Sequence, residues 1–332
     1  MYLFYYYFFL IFTNLLIFKN LKRISNFFYI YDIPNKRKLH KIKTPLIGGI
    51  IFYFNLIVIQ LVLIIFSDKQ FFFSIFTLKT LIIFNFFLFL IFIIGILDDK
   101  FSLNHYLKLF FTASIVYAFI YFDPEIKIEK LIFEYKDFSI NLGKYSVFFT
   151  ILSFMLFLNA ANMFDGINLQ SSLFFTFCLT ILMFKNAENF YISFLIIPLI
   201  FIMFFNYKGK IFLGNNGVLI LSFLLSTFFI KNYNQLQSFT SDEIFLIMLI
   251  PGLDMFRLFL ERLFNKKNPF KADQNHIHHL FIKIFSIPKT NILVTSAIIL
   301  SYLIGSITHY ILGIILAFFL YLLSLVYLKT KK

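Results

Sequence analysis

The sequence predicts an all-α polytopic membrane protein of about eleven spans, and three observations carry that expectation. Hydrophobic residues make up 60% of the 332 positions and charged residues only 14%, where a soluble domain carries roughly a quarter charged. The apolar residues gather in runs close to the roughly 20 residues that a helix needs to cross a bilayer. The basic residues fall mostly on alternate connections between those runs. The same composition excludes a soluble globular enzyme, a disordered chain and a disulfide-framed secreted domain. The one cysteine, Cys178, lies inside an apolar run and cannot form an internal disulfide.

In chain order, spans are predicted near 1–18, 46–66, 79–97, 105–122, 146–163, 169–185, 188–206, 215–230, 242–260, 291–307 and 309–328. The aromatic and β-branched content would favour strands in water. In lipid, runs this long must satisfy their backbone internally, so helices are expected. No basic residue precedes the first span and Lys19 follows it, which reads as a retained helix rather than a cleaved leader. That places the N-terminus outside and the C-terminal Lys329, Lys331 and Lys332 inside. In this orientation 22 of the 30 Lys and Arg residues lie inside, within 19–45, 98–108, 206–217, 257–290 and the tail, against eight outside. The positive-inside rule thus accounts for most of the net charge of +14, and no nucleic-acid partner is expected. Neither an internal repeat nor an inverted pair of interrupted helices is visible, and no linker divides the chain, so 1–332 is expected to form one membrane-embedded domain. The longest outer loop, 123–145, has room for a small hairpin, but a solvated connector is the preferred reading.

Ionisable groups at or within a membrane are costly and therefore mark candidate function. Seven carboxylates fall on the inner side: Asp32, Asp98, Asp99, Asp165, Asp254, Glu261 and Asp273. Asp98 and Asp99 end the span in "IIGILDDKFSLN". Adjacent carboxylates repel, and a hard divalent cation such as Mg²⁺ would relieve both charges; a solvated helix terminus is the alternative. Asn159, Asn162 and Asp165 recur every third residue in "NAANMFDGINLQ", which stacks them on one helical face. Helix capping explains one of the three but not all. "NYKGKIFLGNNGVLI" starts at Asn206 and sets Lys208 and Lys210 before Gly214-Asn215-Asn216-Gly217, where helix-starting amides can hold a phosphate or form a bare turn. "NPFKADQNHIHHLF" holds His276, His278 and His279. Without cysteine or HExxH spacing, zinc is not favoured; with Lys266, Lys267 and Lys271 nearby, phosphate contact is, and the alternative is a segment lying on anionic lipid. Arg37, His40 and Gly48-Gly49 mark the first inner loop, whose lysines topology largely explains. Asp254 and Arg257, three apart, read as an intrahelical ion pair. These motifs come from five separate loops, all on the inner side, and one shared site there is the economical expectation.

Together "GILDDK", "NAANMFDGIN", "FLGNNG" and "PFKADQNHIHH" resemble the polyprenyl-phosphate N-acetylhexosamine-1-phosphate transferases, a group that includes the enzymes starting O-antigen, enterobacterial common antigen and teichoic acid linkage units. The likeness runs from the basic loop at 32–50 to the histidines. It implies an eleven-span fold in the bacterial inner membrane, with the loops near 19–45, 98–105, 159–170, 206–217 and 261–290 forming a cytoplasmic site. It further implies transfer of a sugar 1-phosphate from a UDP-sugar to undecaprenyl phosphate, releasing UMP, with Mg²⁺ required and Mn²⁺ as the alternative ion. By motif match, Asp98, Asp99 and Asp165 are the implied catalytic and metal-holding residues, joined at the metal by Asn215. The implied substrate-binding residues are Asn159, Asn162, Asn206, Asn215, His276, His278, His279, Arg37 and His40. Asp98 deprotonates or orients the lipid phosphate for direct attack, or an aspartyl-phosphate forms; both mechanisms stay open. A homodimer is also open.

The chain departs from the family's pattern in one important place. Asn215 stands where the family carries an aspartate, and Val218 where it carries a small hydroxyl residue. Asn215 keeps a carbonyl ligand but loses a charge, so either the remaining aspartates compensate or the chain is an impaired homologue that binds lipid or nucleotide. Leu46-Ile47 likewise replaces the arginine usual before the glycine pair. A transporter, the third class of function, would need broken helices and charges at mid-membrane, and the predicted spans are largely clean.

Overall fold

The computed structural model describes residues 2–34, 40–66, 75–135, 138–185, 190–269 and 273–331. Its elements in chain order are α1 (Tyr2–Lys19), α2 (Leu21–Phe28), strands β1 (Tyr31–Asp32) and β2 (Thr44–Pro45), α3 (Gly48–Phe66), α4 (Leu78–Phe101) and α5 (His105–Phe122). They continue with β3 (Lys130–Ile132), β4 (Ser139–Asn141), α6 (Ser146–Phe164), α7 (Gln170–Lys185), α8 (Phe190–Tyr207) and α9 (Gly214–Lys231). The last are α10 (Ser241–Phe264), α11 (Ile277–Phe281), α12 (Ile287–Ile307) and α13 (Tyr310–Thr330).

The protein is therefore an all-α multi-pass membrane protein with two small antiparallel hairpins. A helix lies at each predicted span. Among the described residues seven are long and apolar enough to cross a bilayer, or eight if the bent pair α1–α2 counts as one span. The other positions of the eleven-span expectation fall short for visible reasons. The apolar helices α7 and α8 are short, and α10 carries Asp242, Glu243, Asp254, Arg257, Glu261 and Arg262. Between α1 and α2 the chain bends by 66°, so the basic segment expected to be loop from residue 19 is helical to Phe28. Helix α4 also runs past the predicted end of its span, and Asp98 and Asp99 sit in its last turn.

The chain divides into two compact units. One comprises residues 1–123 and 175–228, and in it α1 and α3 pack on α8, and α4 packs on α5. Its core is aromatic: the rings of Phe84, Phe119 and Phe223 meet at centroid distances of 5.2 to 6.5 Å. Glycines let backbones approach here, as small residues do between membrane helices. The α3 amides of Gly48 and Gly49 donate to the carbonyls of Phe212 (3.0 Å) and Leu213 (2.9 Å), which satisfies two of that helix's orphan donors. A methyl on Gly49 would overlap the Gly217 backbone, and one on Gly95 would lie 2.5 Å from the Asn216 Cα. The two glycines thus seat the start of α9 against α3 and α4.

The second unit comprises residues 124–174 and 229–332. Helix α10 is its centre, packing on α6, α12 and α13. Large apolar side chains of α13, among them Ile315, Phe319 and Leu323, are exposed and suit a lipid-facing surface. The outer loop is not the solvated connector preferred from sequence. β3 pairs with β4 in register Lys130–Asn141, and the Tyr233 hydroxyl donates to the Lys130 carbonyl at 2.9 Å. Ile126 and Ile128 are buried beneath. The alternating "KIEKLIF" run supplies the apolar anchor Ile128 and the Ile132 amide, which donates to the Tyr233 hydroxyl at 2.7 Å.

Replacing Gly49 with Ala is expected to lower stability by about 1–3 kcal/mol through overpacking. Gly252→Ala, where an added methyl meets nothing within 4 Å, should leave the melting temperature of the detergent-solubilised protein unchanged.

Candidate functional site

In the first unit the paired aspartates are held in two different ways. Asp98 is buried and accepts the Lys108 ammonium at 2.7 Å and the Leu103 amide at 3.1 Å. Ser102 makes this local fold: its left-handed backbone (φ 52°) ends α4, and the short turn to Asn104, which caps α5, brings Lys108 back beside Asp98. Asp99 reaches across to α9, where its Oδ1 accepts the Asn215 amide at 2.8 Å and its Oδ2 the Asn216 amide at 3.0 Å. A carboxylate at a helix N-terminus satisfies orphan donors and meets the favourable end of the helix dipole. The amides that the sequence offered to a phosphate are therefore already taken by Asp99. Gly214, with φ of +77°, starts that helix 2.7 Å, measured from its absent Cβ, from Asp99 Oδ2. Asn216 turns inward and donates to the Phe92 carbonyl at 2.7 Å, while the Asn215 side chain makes no hydrogen bond among the described residues.

Other expected residues of this unit have structural partners. Asn206 donates to the Ile211 carbonyl at 3.0 Å. Lys208 and Lys210 lie over the rings of Phe204 and Phe205, at 4.0 and 5.7 Å. The ring of His40 stands 3.4 Å from an Asp32 oxygen and edge-on to Phe212. Arg37 and Lys271 lie outside the described residues.

In the second unit, α6 ends where the asparagine-rich motif does. Asn159 donates back to the Met155 carbonyl at 2.6 Å, the Asn162 oxygen is buried without a partner, and Asp165 is the residue that closes the helix. Ser171 donates to the Asp165 carboxylate. Burial pushes that carboxyl up to about 6, against the Ser171 hydrogen bond, which works the other way. Gly166 has no side chain for a steric reason: a methyl there would overlap the His278 ring. The asparagine-rich loop and the histidine motif, 112 residues apart between Gly166 and His278, are thus in contact.

The histidine motif is itself organised by α10. Asp254, 2% exposed, accepts from His276 Nδ1 at 2.8 Å, from the Ile277 amide at 3.1 Å and from Arg257 at 2.8 Å. The Tyr321 hydroxyl adds a fourth contact at 3.1 Å. Arg262 binds Asp273 at 3.0 Å and the Pro269 carbonyl at 2.6 Å, which helps hold the Asp273 carboxyl below its usual range despite partial burial. The ion pair expected between Asp254 and Arg257 forms, but it also anchors a segment more than twenty residues downstream. His278 is fully buried with neither ring nitrogen bonded, and burial, then its histidine neighbours, hold it well below the usual imidazole value. His279 is lowered to about 4, again by burial first and by His276 second.

Sequence reasoning missed two things here. By sequence Lys108 reads only as one more basic residue of an inner connection, although a lone lysine ten residues after Asp98, across a turn, can fold back on it. The reach of Asp254 to His276 has no local signal. Among the described residues no three His, Cys, Asp or Glu side chains form a metal cage. The donor chemistry of Asp98, Asp99 and Asn215 still fits Mg²⁺, which takes one or two carboxylates and completes its shell with water and phosphate oxygens.

Residues 81–232 match glycosyl transferase family 4, and this stretch contains the paired aspartates, the asparagine-rich motif and the Gly-Asn turn. The chain is 27% identical to the undecaprenyl-phosphate alpha-N-acetylglucosaminyl 1-phosphate transferase of Thermotoga maritima, over 82% of this chain and 80% of the relative. Against the protein of that name from Escherichia coli K12 it is 24% identical over 94% of this chain and 87% of the relative. A probable undecaprenyl-phosphate N-acetylglucosaminyl 1-phosphate transferase of Bacillus subtilis is 24% identical over 80% and 74%.

Lys108→Met leaves Asp98 a buried charge without its ammonium partner. The expected loss is about 3–5 kcal/mol of stability, read by unfolding in detergent, and a Lys108→Met/Asp98→Asn double variant should recover most of it.

Proposed function

We propose that this chain, of which residues 81–232 match glycosyl transferase family 4, moves a sugar 1-phosphate, an N-acetylhexosamine 1-phosphate, from a UDP-sugar to undecaprenyl phosphate. The products are UMP and a lipid-linked diphosphate sugar that starts a cell-surface polysaccharide. The reaction takes place at the cytoplasmic face of the bacterial inner membrane, in a chain of eleven spans with its N-terminus outside.

The observation that carries this reading is the Asp98–Asp99 pair, fixed at the C-terminal end of α4 and reaching the start of α9 through Asp99, within the stretch that matches the family. Phosphoryl transfer asks a protein mainly for positioning and charge stabilisation. Mg²⁺ would be held by Asp98, Asp99 and Asn215 and would neutralise charge on the donor diphosphate. Asp98, oriented by Lys108 and the Leu103 amide, positions the lipid phosphate for attack on the β-phosphorus. The bond from β-phosphorus to the UMP oxygen breaks as the new phosphoanhydride forms. The histidine motif meets phosphate oxygens, where preorganised donors stabilise developing charge.

A second reading has its own observation. With Asn215 lacking the family's carboxylate, the chain is instead an impaired homologue that binds lipid or nucleotide. Purified protein with undecaprenyl phosphate, Mg²⁺ and a panel of UDP-N-acetylhexosamines decides between the two by UMP release. Turnover supports the transferase, and no turnover with any sugar leaves the second reading. In an active protein Asp99→Asn should abolish release, and undiminished turnover would refute its role. Asn215→Asp is expected to raise Mg²⁺ affinity or activity; a clear loss would show a site rebuilt around asparagine.

A further inference from the structure

Three histidines lie within four residues, yet the structure treats them differently. His278 is fully buried, neither of its ring nitrogens has a partner, and its Nε2 edge packs on Gly166. His279 stands 4.4 Å from it, ring to ring, with Nδ1 buried and unbonded. Only His276 has a charged partner at hydrogen-bonding distance, the Asp254 carboxylate at 2.8 Å from Nδ1. A carboxylate can only accept, so Nδ1 carries the proton and Nε2 is left as the second, free face of the ring. No protein atom among the described residues bonds Nε2.

Asp254 is itself tightly fixed. Arg257 donates to its Oδ1 at 2.8 Å and, with the same nitrogen, to the Asn275 carbonyl at 2.8 Å, one residue before His276. Tyr321 donates to Oδ1 at 3.1 Å and accepts from Arg257 Nε at 2.8 Å. The Ile277 amide donates to the same Oδ1 at 3.1 Å. Every one of these donors uses Oδ1 and leaves Oδ2 to the imidazole. A plain ion pair between Asp254 and Arg257 would need none of that. The charged and titratable groups around His276 are Asp254 and Arg257 on α10, Tyr321 on α13, and Asp273, His278 and His279 on its own segment.

We propose that Asp254 is a positioning residue that fixes the Nδ1–H tautomer and orientation of His276 and thereby makes Nε2 of His276, alone among the three histidines, the imidazole nitrogen that meets a phosphate oxygen. The phosphate part rests on the transferase reading; the pairing and the tautomer do not. His278 and His279, kept neutral by burial, are packing and spacing elements of the motif. In metal sites a backing carboxylate fixes the ring and raises its basicity, and its loss typically costs roughly 10–100-fold; here Nε2 would donate to the phosphate oxygen after taking up a proton.

The test has a spectroscopic arm and a kinetic arm, both on the full-length protein in lipid nanodiscs. In ¹⁵N-histidine spectra at alkaline pH, His276, assigned by its loss in His276→Gln, is expected to carry its proton on Nδ1. Asp254→Ala should return it to the Nε2–H form usual for a free imidazole. A wild-type His276 protonated on Nε2 overturns the proposal without reference to any activity or any variant's folding. In the UMP-release assay Asp254→Asn should lower kcat by roughly 10–100-fold, and should cost less than twofold when added to His276→Gln. A full cost of Asp254→Asn in the His276→Gln background shows Asp254 acting on its own and overturns the proposal. Should the wild type lack turnover, the transferase reading fails while the spectra still decide the tautomer.

Discussion

A carboxylate drawn into an apolar membrane chain costs several kcal/mol unless donors meet it, and the described structure is organised around those meetings. Asp98 is matched by Lys108, and Asp99 by two amides at the start of α9. On the opposite end of α10, Glu243, 1% exposed, accepts the Tyr302 hydroxyl at 2.8 Å. Lys231, fully buried, is matched by Glu125 at 2.7 Å. Apart from Asp98 with Lys108, ten residues on, these pairings join segments distant in sequence, so solvation of charge and placement of helices are the same problem. Asp254 is the clearest case, because its partners arrive from α10 itself, from the histidine segment and from α13.

This explains what the sequence could and could not tell. Hydropathy located a helix at every apolar run, because in lipid an apolar run has little else to form. The bend before α2 and the β3–β4 hairpin escaped it, and the hairpin depends on tertiary contacts such as Tyr233 with Lys130. At the candidate site, residue types were legible because carboxylates, asparagines and histidines are scarce in such a chain. Their partners were not: Lys108 looks like any basic loop residue, and nothing near Asp254 announces His276. Lys208 and Lys210 lie over phenylalanine rings, where cation–π attraction competes with ligand contact.

Asn215 sharpens the chemistry proposed for the site. Its backbone serves Asp99 as any residue would, so the helix start survives the loss of a carboxylate side chain. What changes is one unit of negative charge beside a pair that Lys108 already partly neutralises. For the proposed Mg²⁺ a weaker hold would follow, with the cation bound more by substrate phosphates and less by the protein.

The most direct test of the central claim follows one phosphorus atom. A UDP-N-acetylhexosamine labelled with ³²P at the β-phosphate, supplied with undecaprenyl phosphate and Mg²⁺, separates transfer of a sugar 1-phosphate from transfer of a sugar. Transfer of the sugar 1-phosphate puts the label in the lipid and leaves unlabelled UMP in water. Label retained in released UDP would show that the sugar moves without its phosphate and would contradict it.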